Sequence, residues 1–235
     1  MSNPLILFVK LPKTGGSSVY RHLSSNLNCQ DLYRSSPPYS INENTSAILQ
    51  WGDHLIELFS SEKDKDKLQS SRRFATVRCP YSKCLSAYNY IRGTLKSSFF
   101  VENTIENCLK QRPEFIEGDP LSTNHDWLHF SLSQTELMYS ERPQANNMYG
   151  RLIDDSKYDF SPHELTILKQ ENLNEEFSSF LRPLGFSLKD LPTENRSKYI
   201  QNNLSKEAVD LINNIYHDDF VNFNYEKIDG SFYNI

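Results

Sequence analysis

The sequence predicts an α/β fold in three layers, a short central parallel sheet flanked by helices, and two strand-to-helix junctions carry that expectation. In the first, Leu5-Ile6-Leu7-Phe8-Val9 leads through Lys10-Leu11-Pro12-Lys13-Thr14-Gly15-Gly16-Ser17-Ser18 to Val19, Leu23 and Leu27. In the second, Phe74-Ala75-Thr76-Val77 leads through Arg78-Cys79-Pro80 to Leu85, Tyr88 and Ile91. Each is an apolar run of strand length followed by apolar residues at helical spacing, the pattern of a buried parallel strand and its crossover helix. A third observation is size. A chain of 235 residues, 37% of them hydrophobic, suffices for one large domain, expected to span residues 1–235.

The first junction reads as an anion cradle. Gly15 and Gly16 permit close backbone approach, the amides of Thr14 to Ser18 are expected to face outward, and the helix N-terminus favours a phosphate or sulfate. Lys13 adds a full positive charge. The order differs from the nucleoside-triphosphate loop G-x-x-x-x-G-K-[ST], in which the lysine follows the glycines and a hydroxyl residue follows the lysine to hold magnesium.

The second junction adds another anion grip. Pro80 suits the first turn of a helix, which places Arg78 at the strand end and Ser86 eight residues on, along the helix. A guanidinium fork and a hydroxyl together suit a terminal phosphate.

Elsewhere the signals are weaker. Residues 34–40, Arg-Ser-Ser-Pro-Pro-Tyr-Ser, read as a loop, and Ser60 to Ser71, built around Glu62-Lys63-Asp64-Lys65-Asp66-Lys67, as a charged, solvated connection. Residues 112–126 read as a variable loop able to wall an acceptor pocket. The four cysteines, Cys29, Cys79, Cys84 and Cys108, show neither zinc spacing nor a disulfide framework and are expected to be reduced thiols. No metal site is expected among the histidines.

With both junctions on the page, the chain resembles the sulfotransferases that use 3′-phosphoadenosine 5′-phosphosulfate (PAPS), in the carbohydrate O-sulfotransferase branch that includes heparan sulfate 2-O-sulfotransferase. The resemblance implies a P-loop-like sulfotransferase fold. It also implies that Lys13, Thr14, Gly15, Gly16, Ser17 and Ser18 bind the 5′-phosphosulfate and that Arg78 and Ser86 bind the 3′-phosphate. Lys83 stands where the family usually has a second arginine, which keeps the charge but loses the planar fork. Three later segments extend the likeness: His129-Phe130-Ser131-Leu132-Ser133-Gln134, the stretch Glu171-Asn172-Leu173 with its flanks, and Tyr216-His217-Asp218-Asp219-Phe220. Arg196, Ser197 and Lys198 fall where relatives close a loop over the adenosine.

For the base that takes the acceptor's proton, the resemblance points to His54, although Asp53 separates it from Gly52 where relatives have the two adjacent. An imidazole of ordinary pKa, about 6.5, is able to accept a proton at neutral pH. His129 is expected to orient the acceptor, and Lys13 to neutralise the leaving phosphate. The catalytic set is therefore Lys13, His54 and His129.

The implied reaction is sulfuryl transfer from PAPS to a hydroxyl, with an amine as second choice, of a carbohydrate or small metabolite. The alternatives are a nucleotide-dependent phosphotransferase and a non-catalytic nucleotide-binding module. A net charge of −5 argues against general nucleic-acid or anionic-membrane partners. The first apolar run is too short for a signal peptide and no later one approaches membrane length, so a cytoplasmic location is expected.

Overall fold

The computed structural model describes residues 4–11, 13–31, 39–51, 59, 61–95, 98–111, 148, 165–186, 191, 203–229 and 233–234. They fall into two compact units, each assembled from two stretches of chain: Met1–Val77 with Leu152–Asn195, and Arg78–Arg151 with Arg196–Ile235.

The first unit holds the parallel sheet expected from the sequence. Its strands are β1 (Ile6–Lys10), β2 (Cys29–Asp31), β3 (Ala47–Trp51), β4 (Arg72–Val77) and β5 (Leu165–Lys169), in the order β2-β3-β1-β4-β5, every pairing parallel. The central strand β1 is apolar throughout Ile6 to Val9 because both faces of a parallel strand are enclosed, and all four side chains are fully buried. Helices α1 (Gly16–Asn26), α2 (Glu62–Gln69) and α6 (Leu173–Leu181) flank it. Val19 and Leu23 of α1 and Leu173, Phe177 and Leu181 of α6 pack with Ile6, Phe8, Leu49 and Phe74 of the sheet in one core. Phe8 and Phe74 are register partners on adjacent strands, and their rings stack at 4.8 Å. Burying such a side chain contributes about 1.5–3 kcal/mol, which makes the carboxyl end of β1 a firm base for whatever follows it.

The charged stretch read as a solvated connection takes the form of a capped helix. Ser61 accepts a hydrogen bond from the Asp64 amide at 3.1 Å, and Leu68 turns inward. At its far end the buried Arg73 of β4 donates to the carbonyls of Leu68 at 2.9 Å and Gln69 at 2.7 Å, satisfying groups that a helix C-terminus leaves open.

The second unit is mainly helical: α3 (Pro80–Tyr90), extended by a π turn at Ile91–Leu95, then α4 (Ser98–Glu102), α5 (Ile105–Gln111), α7 (Lys206–Ile215) and α8 (His217–Asn222). Its core gathers Leu85, Tyr88 and Ile91, the stripe expected for α3, with Ile105, Leu109, Val209, Ile212, Tyr216 and Phe220. The Tyr81 hydroxyl lies between α3 and α7, hydrogen-bonded to Asn213 and receiving the Ile228 amide at 2.9 Å. A small two-stranded sheet belongs to the unit, β6 (Asn203–Leu204) pairing antiparallel with β7 (Tyr233–Asn234). The four cysteines are all free thiols. Among the described residues no helix is long and apolar enough to cross a membrane.

Candidate active site

The cradle follows β1 directly, and its backbone has the unusual conformation that a phosphate or sulfate loop needs. Lys13 has φ 60° and Gly15 φ 86°, both left-handed. A lysine there costs about 1–2 kcal/mol against an ordinary helical conformation, a strain that persists only where surrounding contacts impose it. Those contacts are visible. The Thr14 hydroxyl donates to the Leu11 carbonyl at 2.9 Å and shares a 2.8 Å hydrogen bond with Thr76 near the end of β4. Both threonines are fully buried. Each such bond contributes about 1 kcal/mol net, and orphaning either hydroxyl costs about 1–3 kcal/mol. Thr14 therefore pins the loop to the sheet with its side chain, and what it offers a ligand is its backbone.

The glycines are required by space as well as by conformation. A Cβ on Gly15 would lie 3.0 Å from Cγ of Gln170 and 3.1 Å from Cδ2 of Leu173, at the start of the segment after β5. On Gly16 it would lie 2.8 Å from Cγ of Lys10. Helix α1 begins there with no acidic residue in its first turn, so nothing opposes an anion at its positive end. One expectation narrows: the Ser18 amide is already engaged with the Gly15 carbonyl at 3.1 Å. The amides of Gly16 and Ser17 belong to the first turn, where a helix has no internal acceptor.

A second lysine, unassigned from sequence, belongs to this loop. Lys10 lies along Gly16, its ammonium 5.5 Å from the centre of the Tyr20 ring, while the Tyr20 hydroxyl donates to Asp31 at 2.6 Å. Burial pulls the Lys10 ammonium down to about 8; the Asp31 carboxylate opposes the drop and Lys13 adds to it. The only sequence signal was a lysine at the end of an apolar strand, and its burial depends on α1 folding back over it.

In the second unit, Arg78 follows the last residue of β4 and Ser86 lies two turns into α3, buried. Pro80 opens the helix as expected. Lys83 is wholly enclosed. Tyr88 is also fully buried, its hydroxyl donating to the Asn103 carbonyl at 2.9 Å and receiving Arg92 at 2.7 Å. It presents no surface to a base or sugar.

The histidines divide sharply. His22 is a core residue, its ring edge-on to Phe177 at 5.9 Å, and burial lowers its pKa so that it stays neutral. His217 is exposed, with Nδ1 2.8 Å from the Lys227 ammonium. His54, His129, Arg196, Ser197 and Lys198 lie outside the described residues, as does Asp53. The described residues include no group of His, Cys, Asp and Glu side chains able to hold a metal ion.

A parallel α/β sheet flanked by helices, with a lysine-bearing glycine loop at the end of its central strand, defines a class of proteins that bind a phosphate- or sulfate-bearing donor at strand ends. A family model described as the sulfotransferase family matches residues 2–226, nearly the whole chain, and the chain belongs to that family. No curated protein and no solved structure matches it. Membership makes the chain a transferase of sulfuryl groups in place of the phosphotransferase alternative.

Proposed function

We propose that the chain transfers the sulfuryl group of PAPS to a hydroxyl, with an amine as second choice, of a carbohydrate or small-metabolite acceptor, as in the carbohydrate O-sulfotransferases. The cradle carries this reading: left-handed Lys13 and Gly15, a Gly16 with no room for a side chain, and a helix start free of acidic residues. Such a loop suits a 5′-phosphosulfate, and Arg78 with Ser86 suits a 3′-phosphate.

In the reaction the acceptor oxygen bonds to sulfur as the bond from sulfur to the 5′-phosphate oxygen breaks, releasing adenosine 3′,5′-bisphosphate. Lys13 and the cradle amides neutralise the charge that grows on that oxygen, where stabilisation lowers the barrier most. His54 takes the acceptor proton and His129 orients the acceptor. Arg196, Ser197 and Lys198 close over the adenosine.

The test uses the purified chain, labelled PAPS and a panel of sugars and small alcohols, with bisphosphate release as readout. Calorimetry should show adenosine 3′,5′-bisphosphate binding far more tightly than ATP, and Arg78→Ala should weaken it by roughly 10- to 100-fold. Equal affinity for the two nucleotides would sink the donor assignment. His54→Ala should lower turnover by about 10² to 10⁴ with bisphosphate binding intact, whereas His129→Ala should raise the acceptor KM. Normal turnover in His54→Ala would remove that residue from the base role.

A further inference from the structure

The last residues of the chain bear on the Arg78 grip. Tyr233 of β7 lies beyond the family match, which ends at residue 226. Pairing with Leu204 on β6 brings it against the start of α3. There its ring packs 5.1 Å from that of Tyr81, and its hydroxyl shares a 2.6 Å hydrogen bond with Ser82. Burial raises the Tyr233 pKa; the Ser82 bond opposes this, the Cys79 thiol adds to it through its charge and a hydrogen bond, and the Arg78 guanidinium opposes it. The phenol therefore stays protonated through the neutral range and keeps a proton to donate. The ring contact with Tyr81 and the hydroxyl bond to Ser82 join the start of α3 to the end of the chain, a cluster that no stretch of local sequence would reveal.

Arg78 and Cys79 belong to neither strand nor helix, Pro80 has no amide to donate, and Cys79 provides α3 with no side-chain cap. The Cys79 carbonyl receives the Lys83 amide at 2.9 Å, which ties the turn to α3 through one backbone bond, and a guanidinium grips a phosphate with two parallel bonds only when its plane is held. The Tyr233 hydroxyl, joined to Ser82, and its ring, packed on Tyr81, tie the first turn of α3 to the far end of the chain. We propose that Tyr233 is a positioning residue for Arg78, so that the C-terminal strand sets how strongly the protein prefers a nucleotide bearing a 3′-phosphate. This rests on the assignment of Arg78 to the 3′-phosphate.

The experiment is calorimetry on the full chain with two probes, adenosine 3′,5′-bisphosphate and adenosine 5′-monophosphate, for wild type, Tyr233→Phe, Ser82→Ala and the double variant. Phenylalanine retains the packing on Tyr81 and removes only the hydroxyl. Tyr233→Phe should weaken the bisphosphate by roughly five- to tenfold and leave the monophosphate unchanged. Ser82→Ala should show the same selective loss, and the double variant should be little worse than either single one, because both act through one hydrogen bond. Equal losses for the two probes would mean a structural role alone, and no loss for either would also overturn the proposal. Ser82→Ala decides the matter should Tyr233→Phe fail to fold. If wild type itself binds both probes equally, it is the assignment of Arg78 that has failed.

Discussion

The two segments proposed to bind anions are built by opposite means. The cradle at Lys13 to Ser18 is a backbone device, shaped by left-handed residues, fixed to the sheet by Thr14 and Thr76, and kept open by glycines that have no room for a Cβ. The Arg78 to Ser86 segment offers side chains instead, on a turn whose next residues bond to the chain's far end, Ser82 to Tyr233, 151 positions later. Backbone amides come ready-placed once the loop is formed, so the cradle tolerates almost no change in shape. A long side chain must instead be held by its neighbours, so the second segment is open to tuning from elsewhere in the chain.

The largest expected effect separates charge from shape within the cradle. Lys13→Ala should cut turnover at saturating donor by about 10² to 10³, with a smaller loss of donor affinity, because the ammonium meets more negative charge in the transition state than in the bound donor. Single-turnover kinetics at saturating PAPS check this. Near-normal turnover would leave the backbone as the whole of the cradle's contribution and Lys13 outside the mechanism.

A middle-sized effect tests the shape itself. Alanine in place of glycine inside a helix usually gains up to about 1 kcal/mol. At Gly16 the new methyl would sit 2.8 Å from Cγ of Lys10, 3.3 Å from Cε and 3.4 Å from Cδ, well short of the flexible tip. Such overpacking costs about 1–3 kcal/mol, so Gly16→Ala should lower Tm by a few degrees and weaken bisphosphate binding as well. A variant with wild-type Tm and affinity would show that the cradle is more compliant than its packing implies.

The smallest effect concerns pH. With Lys10 at about 8, the ammonium beside the cradle loses its charge as pH rises through that value. Anion affinity should therefore decline between about pH 7 and 9, by up to roughly fivefold for a charge of this exposure. Binding near pH 8 should take up protons, measurable by calorimetry in buffers of different ionisation enthalpy, and Lys10→Met should abolish that uptake. Stability runs the other way. The folded-state pKa lies below the ordinary lysine value of 10.5, so between about 8 and 10.5 the unfolded chain binds more protons, and this group's contribution to stability rises with pH across that window. A pH-independent affinity in wild type would place Lys10 outside the anion's field.

What the sequence determined by itself was whatever is written within one strand, one turn or one helical stripe. The apolar run Ile6 to Val9, the stripe Val19 and Leu23, Pro80 at the head of α3, and the stripe Leu85, Tyr88 and Ile91 were legible because period and turn chemistry are local properties. So was the cradle, whose lysine and glycines are contiguous. The charged run at Glu62 to Gln69 was legible as a polar connection but not as a helix in particular, because a segment with only Leu68 as its buried apolar residue shows little periodicity. Only the tertiary structure assigned the Thr14 hydroxyl to Thr76, enclosed Tyr88 and Lys83, lowered Lys10 and set Tyr233 against Tyr81 and Ser82. Each of these depends on desolvation or on a hydrogen bond between residues far apart in the chain, and neither exists until the chain has packed.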